Sequence, residues 1–196
     1  MTAAFDETEL RALIEAGDID GATTLALEAY GGELVGWLTS TLGEADAHDA
    51  FSILGEELWK SLPRFDGRCS LRTWCYMLAR AATSRVRGKP ARKHEQLVSQ
   101  IPSVAHAVTK VWSTTVRAAA RERDVYARIR DELDDEDRTL LVLRVDKDLA
   151  WREIAIVLLG AEPDEDEVTR KAASLRKQFE RVKERLKELA AKHMVD

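Results

Sequence analysis

Two stripes of basic and small polar side chains have the residue types and spacing that binding a polyanion requires. The first stripe recurs every three or four residues and consists of Arg72, Tyr76, Arg80, Thr83 and Arg87. At 100° per residue these positions span about 80° of a helix surface. The second stripe consists of Arg170, Ser174, Lys177, Arg181 and Arg185. Cationic groups bind phosphates and an aromatic ring between them can stack on a base, so both stripes indicate nucleic-acid contacts.

The charge of the chain is distributed in blocks. The formal net charge is −5, but residues 1–60 carry −11, residues 61–93 carry +8, residues 94–123 carry +2, residues 124–167 carry −9 and residues 168–196 carry +5. Because the Debye length at physiological salt is only ~8 Å, a polyanion can bind the basic blocks although the whole chain is acidic. The alternative is that the blocks are solvated helix faces.

Residue patterns that support catalysis or metal binding are absent from the sequence. There is no Walker loop, no GxGxxG, no HExxH and no CxxC pair. The histidines are too scattered for a metal site; they are His48, His94, His106 and His193. The acidic runs 134–137 and 164–167 each precede a predicted helix, where carboxylates favour the positive end of the dipole. We therefore expect no enzyme activity, no catalytic residue, no metal and no cofactor.

The composition of the 196-residue chain favours helices throughout. It contains only 10 Gly and 4 Pro, and long stretches are rich in Ala, Leu, Glu and Arg. No apolar run reaches the ~18 residues of a membrane span, and the acidic N-terminus lacks the apolar core of a signal peptide. The two cysteines, Cys69 and Cys75, cannot build a disulfide framework. We expect an all-α protein of the cytoplasm.

Apolar periodicity and capping residues predict the elements. The predicted helices cover about 7–16, 19–42, 46–62, 71–87, 104–133, a short stretch at 140–144, 151–159 and 165–193, with Ser70 as the N-cap of the fourth. The best linker candidate is 88–103, which contains two prolines. One face of the fourth helix is expected to be buried, with the first basic stripe facing away from it; this face consists of Leu71, Trp74, Cys75, Leu78, Ala82 and Val86. Trp59 is also predicted to lie in the core.

Two segments together resemble the extracytoplasmic-function (ECF) subfamily of bacterial sigma-70-type sigma factors. Residues 58–80 contain Leu-Trp, then Arg-Phe-Asp-Gly, then Leu-Arg-Thr-Trp, which resembles region two of that family. Region four of the family is resembled by two further segments, residues 133–144 (Leu-Asp-Asp-Glu-Asp-Arg-Thr-Leu-Leu-Val-Leu-Arg) and 151–155 (Trp-Arg-Glu-Ile-Ala). In that region, the first helix of the helix-turn-helix carries Glu-Ile-Ala. The match covers most of residues 20–93 and 120–190.

The resemblance implies a transcription initiation factor built from two small helical domains. Residues 7–93 would form region two, residues 94–119 a linker, and residues 120–193 region four with its helix-turn-helix. The implied partners are the two largest subunits of core RNA polymerase and promoter DNA, and the resemblance leaves open an anti-sigma factor. Region two would bind the polymerase clamp helices and the minus-ten element, and region four the minus-thirty-five element.

Specific residues acquire expected roles from this resemblance. Core polymerase binding is expected from Asp46, Asp49, Glu56 and Glu57. Minus-ten contacts are expected from Phe65, Arg68, Arg72, Tyr76, Arg80, Thr83 and Arg87, with half-buried packing as the alternative for Tyr76. Minus-thirty-five contacts are expected from Thr169, Arg170, Lys171, Ser174, Arg176, Lys177 and Arg181. Among the last group, Lys171, Arg176 and Arg181 are expected on phosphates and the others on base edges.

The sequence departs from the family pattern at three places. Ser52 and Ile53 stand three and four residues after Asp49, where the family usually has Gln-Glu. Ala81 stands where an Asn often helps to capture a flipped-out base. The turn before the recognition helix, or that helix itself, is longer than usual, so either 168–171 or 174–181 could enter the groove; we favour 170–177.

Two other classes of protein account for part of the sequence. A helix-turn-helix repressor or activator that does not bind polymerase accounts for residues 133–190 but not for residues 65–80. A helical adaptor that binds only proteins accounts for the four-and-three apolar spacing of residues 168–189. The repressor predicts tight duplex binding by the isolated protein, whereas the adaptor predicts no salt-dependent DNA binding.

Overall fold

The computed structural model describes residues 7–88, 101–119, 132–160 and 163–193, and these residues are mostly helical with no strand among them. The helices are α1 (Glu7–Glu15), α2 (Ile19–Leu42), α3 (Glu44–Ser61), α4 (Leu71–Arg87), α5 (Pro102–Ala119), α6 (Asp135–Leu141), α7 (Trp151–Leu159) and α8 (Glu165–His193). The predicted all-α class is confirmed. Contacts divide the chain into two compact units, residues 1–119 and 120–196.

Helix α2 is the centre of the first unit and packs against α1, α3, α4 and α5. It begins where the Asp18 carboxylate accepts a hydrogen bond from the Gly21 N–H at 2.9 Å. It ends at Gly43, whose φ of +79° favours glycine. Trp37 and the leucines at 27, 34 and 38 are fully buried along its length.

Helices α3 and α4 are joined by a short 3-10 turn, Leu62–Arg64, and a loop. Pro63 prevents α3 from continuing. The predicted N-cap of α4 is confirmed, because the Ser70 hydroxyl accepts a hydrogen bond from the Thr73 N–H at 3.1 Å. Cys75 is buried, as expected for a packed thiol.

Helix α5 corrects the expected linker over residues 94–119. Residues 102–119 form a helix of the first unit that packs against α2 and α3. Four of its apolar side chains are buried at spacings of three, one and three; they are Val104, Ala107, Val108 and Val111. This spacing gives one buried helix face, so the segment belongs to the fold. Residues 94–100 of the expected linker, and residues 120–131 of the helix expected over 104–133, lie outside the described residues.

The second unit contains α6, α7 and α8. Helix α6 is capped by Asp134, whose carboxylate accepts from the Asp137 N–H at 2.8 Å, and a π-helical turn, Val142–Asp146, extends it. Helix α8 begins with a reciprocal cap in which Asp164 accepts from the Glu167 N–H at 2.7 Å. The acidic runs were expected to precede these helices; the structure places the first residue of each run at the cap and the other three in the first turn. The core contains Leu140, Leu143, Leu149, Ile154, Val157, Val168, Leu175 and Val182.

Replacing Ser70 by alanine tests the cap of α4. We expect Ser70→Ala to lower the free energy of unfolding by about 1 kcal/mol, because the Thr73 N–H loses its acceptor. Urea denaturation followed by tryptophan fluorescence measures this change. The control is Ser84→Ala, which removes an exposed hydroxyl of the same helix and should shift stability by less than about 0.5 kcal/mol. Equal midpoints for the two variants would contradict the assigned role of Ser70.

Candidate nucleic-acid interface

Helix α8 has one buried side and one basic side. Val168, Ala172, Leu175 and Val182 are buried against α7 and the end of α6. Four exposed residues of the predicted minus-thirty-five set lie within about 60° of arc on the opposite side; they are Arg170, Ser174, Lys177 and Arg181. Thr169 and Arg176 are exposed on one flank, and Lys171 is half-buried on the other. The described part of α8 therefore presents a polar ridge suited to a groove.

The cations of this ridge differ from those further along α8. Within the described ranges, no ion pair involves Arg170, Lys177 or Arg181. The later cations are paired within the helix: Lys183 with Glu180 at 2.7 Å, Lys187 with Glu184 at 2.7 Å and Arg185 with Glu188 at 3.3 Å. The Lys187 ammonium lowers the pKa of the Glu184 carboxyl below its usual value. Positive charge available to a ligand is thus concentrated in the first half of α8.

The acidic start of α8 is largely occupied by contacts within the unit. Glu165 forms an ion pair with Arg152 of α7. The Glu167 carboxylate accepts from the Asp164 N–H at 3.3 Å and completes the reciprocal cap. Neutralisation by Arg152 and by backbone N–H groups reduces the repulsion that these carboxylates would exert on a phosphate.

Helices α7 and α8 pack against each other; of the residues between them, 160, 163 and 164 are described and residues 161–162 are not. Gly160, with φ +92°, ends α7 by donating its N–H to the Ile156 carbonyl at 3.0 Å. An edge-on contact between Trp151 and Phe179, with ring centroids 5.4 Å apart, joins the two helices. Arg144 lies over the Trp151 ring at 5.1 Å. Five residues separate the two helices in the sequence, against three or four in a usual helix-turn-helix.

The first basic stripe, on α4, faces α2 instead of pointing away from the core. Arg72 donates two hydrogen bonds to the Glu33 carboxylate, at 2.8 and 2.7 Å. Tyr76 is fully buried, with its ring edge-on to Trp37 at 5.8 Å. Thr83 is also buried, and Arg87 donates to the Thr41 carbonyl at 3.2 Å. The expected outward orientation of this stripe is therefore wrong. Tyr76 is more deeply buried than even the half-buried alternative expected for it.

The buried arc of α4 is shifted towards Tyr76 relative to the expected one. Trp74 and Leu78 were expected in the core but are only half-buried, whereas Ala79 is fully buried. Desolvation raises the pKa of the Tyr76 hydroxyl far above its usual value, and the Glu33 carboxylate adds to this effect. Within the described part of the chain, the Tyr76 hydroxyl and the Trp37 indole N–H have no hydrogen-bond partner. A buried hydroxyl without a partner is costly, so the tyrosine ring is held there by packing.

The loop before α4 remains accessible. Phe65 is half-buried against Trp74, with ring centroids 5.6 Å apart. Arg68 is exposed and pairs with Asp66 at 2.6 Å, and the Arg68 N–H lowers the pKa of that carboxyl below its usual value. Arg80 is half-buried. The accessible part of the predicted minus-ten set is thus Phe65, Arg68, Arg80 and Arg87.

The acidic residues expected to bind polymerase differ in their accessibility. Asp46 is exposed and Asp49 is half-buried. Glu56 is only 5% exposed and pairs with Lys60, which corrects its expected role as a surface contact. Glu57 binds Arg85 of α4 at 2.7 Å and raises the pKa of that guanidinium. The two glutamates therefore stabilise the first unit.

Sequence reasoning did not pair the α4 stripe with Glu33 and Trp37 of α2. The Glu33–Arg72 pair joins positions 39 residues apart in the chain. One signal in the sequence was that Arg72 and Tyr76 share a helix face, so a single neighbouring helix can contact both side chains.

No protein-family model, curated protein or solved structure matches this chain. Among the described helices, none is both long and apolar enough to cross a lipid bilayer. In those same ranges no group of three or more His, Cys, Asp or Glu side chains is arranged to hold a metal ion.

Removing the Tyr76 hydroxyl tests the packing of α4 on α2. We expect Tyr76→Phe to raise the free energy of unfolding by about 1 kcal/mol, because a buried unpaired hydroxyl is removed while the ring stays. Thermal and urea denaturation measure the change. Tyr30→Phe, at a half-buried tyrosine of α2, is the control and should give no gain. Destabilisation of Tyr76→Phe by 1 kcal/mol or more would show that the hydroxyl is hydrogen-bonded.

Proposed function

We propose that this protein is a sigma factor of the ECF type, which binds bacterial core RNA polymerase in the cytoplasm and directs it to particular promoters. The observation that carries the proposal is the ridge of exposed cations without ion pairs on the second helix of a helix-turn-helix. The sigma-like segment 58–80 in the preceding helical unit adds the second element of the family pattern. Each feature alone fits several classes of protein, but their order in one chain favours a transcription initiation factor.

In this proposal α8 reads the minus-thirty-five element from the major groove of the duplex. A helix fits that groove, and arginine or lysine can donate two hydrogen bonds to a guanine. Arg170, Ser174 and Lys177 lie towards the start of the ridge and would face base edges, and Arg181 would bind a phosphate. The flanking Thr169 and Arg176 would border the backbone of one strand. Lys171 was expected to bind a phosphate, but it is half-buried and therefore less accessible than the four residues of the ridge.

The first unit then binds the melted minus-ten strand through fewer side chains than the sequence indicated. Phe65, Arg68, Arg80 and Arg87 retain enough exposure for stacking or phosphate contacts. Arg72, Tyr76 and Thr83 would act indirectly by holding α4 on α2. Of the four carboxylates expected to bind polymerase, Asp46 and Asp49 are the ones that remain accessible on α3 for the clamp.

A helix-turn-helix repressor or activator is the second candidate function. The ridge on α8 supports it equally well, because the ridge needs only duplex DNA. The candidate gives no role to the accessible loop 65–70. A helical adaptor would leave the cations on the ridge without a ligand.

The decisive experiment mixes the purified full chain with bacterial core RNA polymerase and analyses the mixture by size-exclusion chromatography. Co-elution, followed by transcription from a subset of promoters in the source genome, is the result expected. Duplex binding without polymerase binding would favour the repressor. Absence of both would favour the adaptor.

Alanine variants of the α8 ridge test its role in duplex binding. We expect Arg170→Ala and Lys177→Ala each to weaken binding to the cognate minus-thirty-five duplex by about 1–3 kcal/mol if they touch bases. Fluorescence anisotropy at several salt concentrations measures both affinity and salt dependence. Lys187→Ala is the matched control, because Glu184 already neutralises Lys187, and it should change neither. Identical affinities for all three variants would exclude the ridge from the interface.

A further inference from the structure

Arg11 of α1 is an exposed cation whose charge is not used within the described part of the chain. Residues 1–60 contain thirteen acidic residues and only two basic ones, Arg11 and Lys60. Lys60 pairs with Glu56, but within the described ranges Arg11 has neither an ion pair nor a hydrogen bond. Glu15 lies four residues further along α1, at a spacing that permits an ion pair, and these two side chains form none. The charge of Arg11 therefore does not stabilise its own helix.

The Arg11 guanidinium lies close to the loop that precedes α4. A Cβ placed on Gly67 would lie 3.3 Å from the Nη2 atom of Arg11. Gly67 has a φ of +74°, in the left-handed region that favours glycine. Arg11 donates no hydrogen bond to this described loop, so the arginine does not act as a clamp that holds the turn in place. Its N–H groups remain available to a ligand that lies over the turn.

The loop that Arg11 approaches is itself basic. Residues 63–70 contain two arginines and one carboxylate. The carboxylate, Asp66, already pairs with Arg68 at 2.6 Å. Arg64 is exposed, and the described residues provide it with neither an ion pair nor a hydrogen bond. Because like charges repel, the approach of a second unpaired cation to this loop is unfavourable in the free protein, and a bound anion would relieve the repulsion.

A single nucleic-acid strand has the chemistry that this surface fits. Proteins that bind single strands combine cations along the phosphate backbone with aromatic side chains on which bases stack. The loop offers the half-buried ring of Phe65 and the exposed Arg64 and Arg68. Arg11 adds a further cation on the α1 side of the Gly67 turn.

We propose that Arg11 binds a phosphate of the melted minus-ten strand, so that the strand-binding surface continues from the loop onto α1. The inference rests on the proposed function and extends it to a residue outside the segments that resemble the sigma family, since that resemblance begins at about residue 20. A phosphate contact carries no sequence information. Arg11 therefore strengthens the binding of every minus-ten sequence to the same degree.

Removing the charge of Arg11 tests this contact in the complete complex. The protein is the full chain bound to core RNA polymerase, and the probe is a fluorescein-labelled fragment of a promoter that this complex transcribes. Mismatched bases hold the minus-ten region of the fragment single-stranded. We expect Arg11→Gln to weaken binding roughly threefold to fivefold at 50 mM salt, as for one exposed ion pair. Anisotropy titrations measure the affinity.

The salt dependence of binding separates a phosphate contact from a structural role. One phosphate contact on a single strand contributes about 0.7 to the slope of log affinity against log salt concentration. The advantage of the wild type over Arg11→Gln should therefore shrink by roughly 2.5-fold between 50 and 200 mM salt. If Arg11 only placed the loop, its loss would change the affinity and leave this slope as it is.

Two further variants serve as controls. Arg11→Lys keeps the charge and should retain most of the affinity and the wild-type slope. Lys110→Gln removes the same charge from α5, where Glu28 already pairs with Lys110 at 2.7 Å, and it should change neither quantity. Urea denaturation verifies that all three variants are as stable as the wild type, which is expected because both positions are exposed.

The outcomes distinguish failure of the inference from failure of the proposed function. A wild-type slope in Arg11→Gln, with polymerase binding intact, would overturn the phosphate contact and leave the sigma proposal standing. Equal loss of affinity in Arg11→Gln and Lys110→Gln would overturn it as well, because the effect would then follow net charge alone. Absence of polymerase binding by the wild-type chain in size-exclusion chromatography would reject the sigma proposal and this inference together.

Discussion

The first unit depends on one central helix, α2, which supplies buried side chains to four neighbouring helices. A helix with several neighbours needs apolar or small residues wherever it meets one of them. Its one charged side chain at the α4 interface, Glu33, is matched by the two-point hydrogen bonding of Arg72. Removing either partner would leave a half-buried charge without its counterion, so the α4 stripe is constrained by α2 before any ligand is considered.

Where local chemistry determines an element, the sequence was sufficient. The bounds expected for α2, α7 and α8 agree with the structure, because Asp18 and Gly160 mark ends that depend on backbone groups within a few residues. The two sides of α8 were also assigned correctly, since one side is regularly apolar and the other carries no large apolar residue. Helix periodicity separates the buried side of a helix from its exposed side even when the helices that pack against it are unknown.

Two features depended on distant contacts and were missed. Helix α4 carries large side chains on both of its faces, so periodicity could group Tyr76 with Arg72 but could not decide which group faces α2. Residues 104–119 were expected to be helical but were assigned to the linker of residues 94–119 and not to the first unit. The docking of α5 on α2 and α3 uses the space that Gly31 and Gly55 leave, and a glycine inside a helix gives no sign of which segment will use that space.

If α8 binds duplex DNA as proposed, the pairing of charges along the helix limits the length of duplex that it contacts. From Arg170 to Arg181 the helix rises about 17 Å at 1.5 Å per residue. Successive base pairs are about 3.4 Å apart along a duplex, so in the proposed complex the ridge follows roughly five of them. Beyond Arg181 the internal glutamates neutralise the next lysines and arginine. The carboxyl-terminal half of this long helix would therefore add little attraction for the phosphates that follow, and the recognised element is expected to be short.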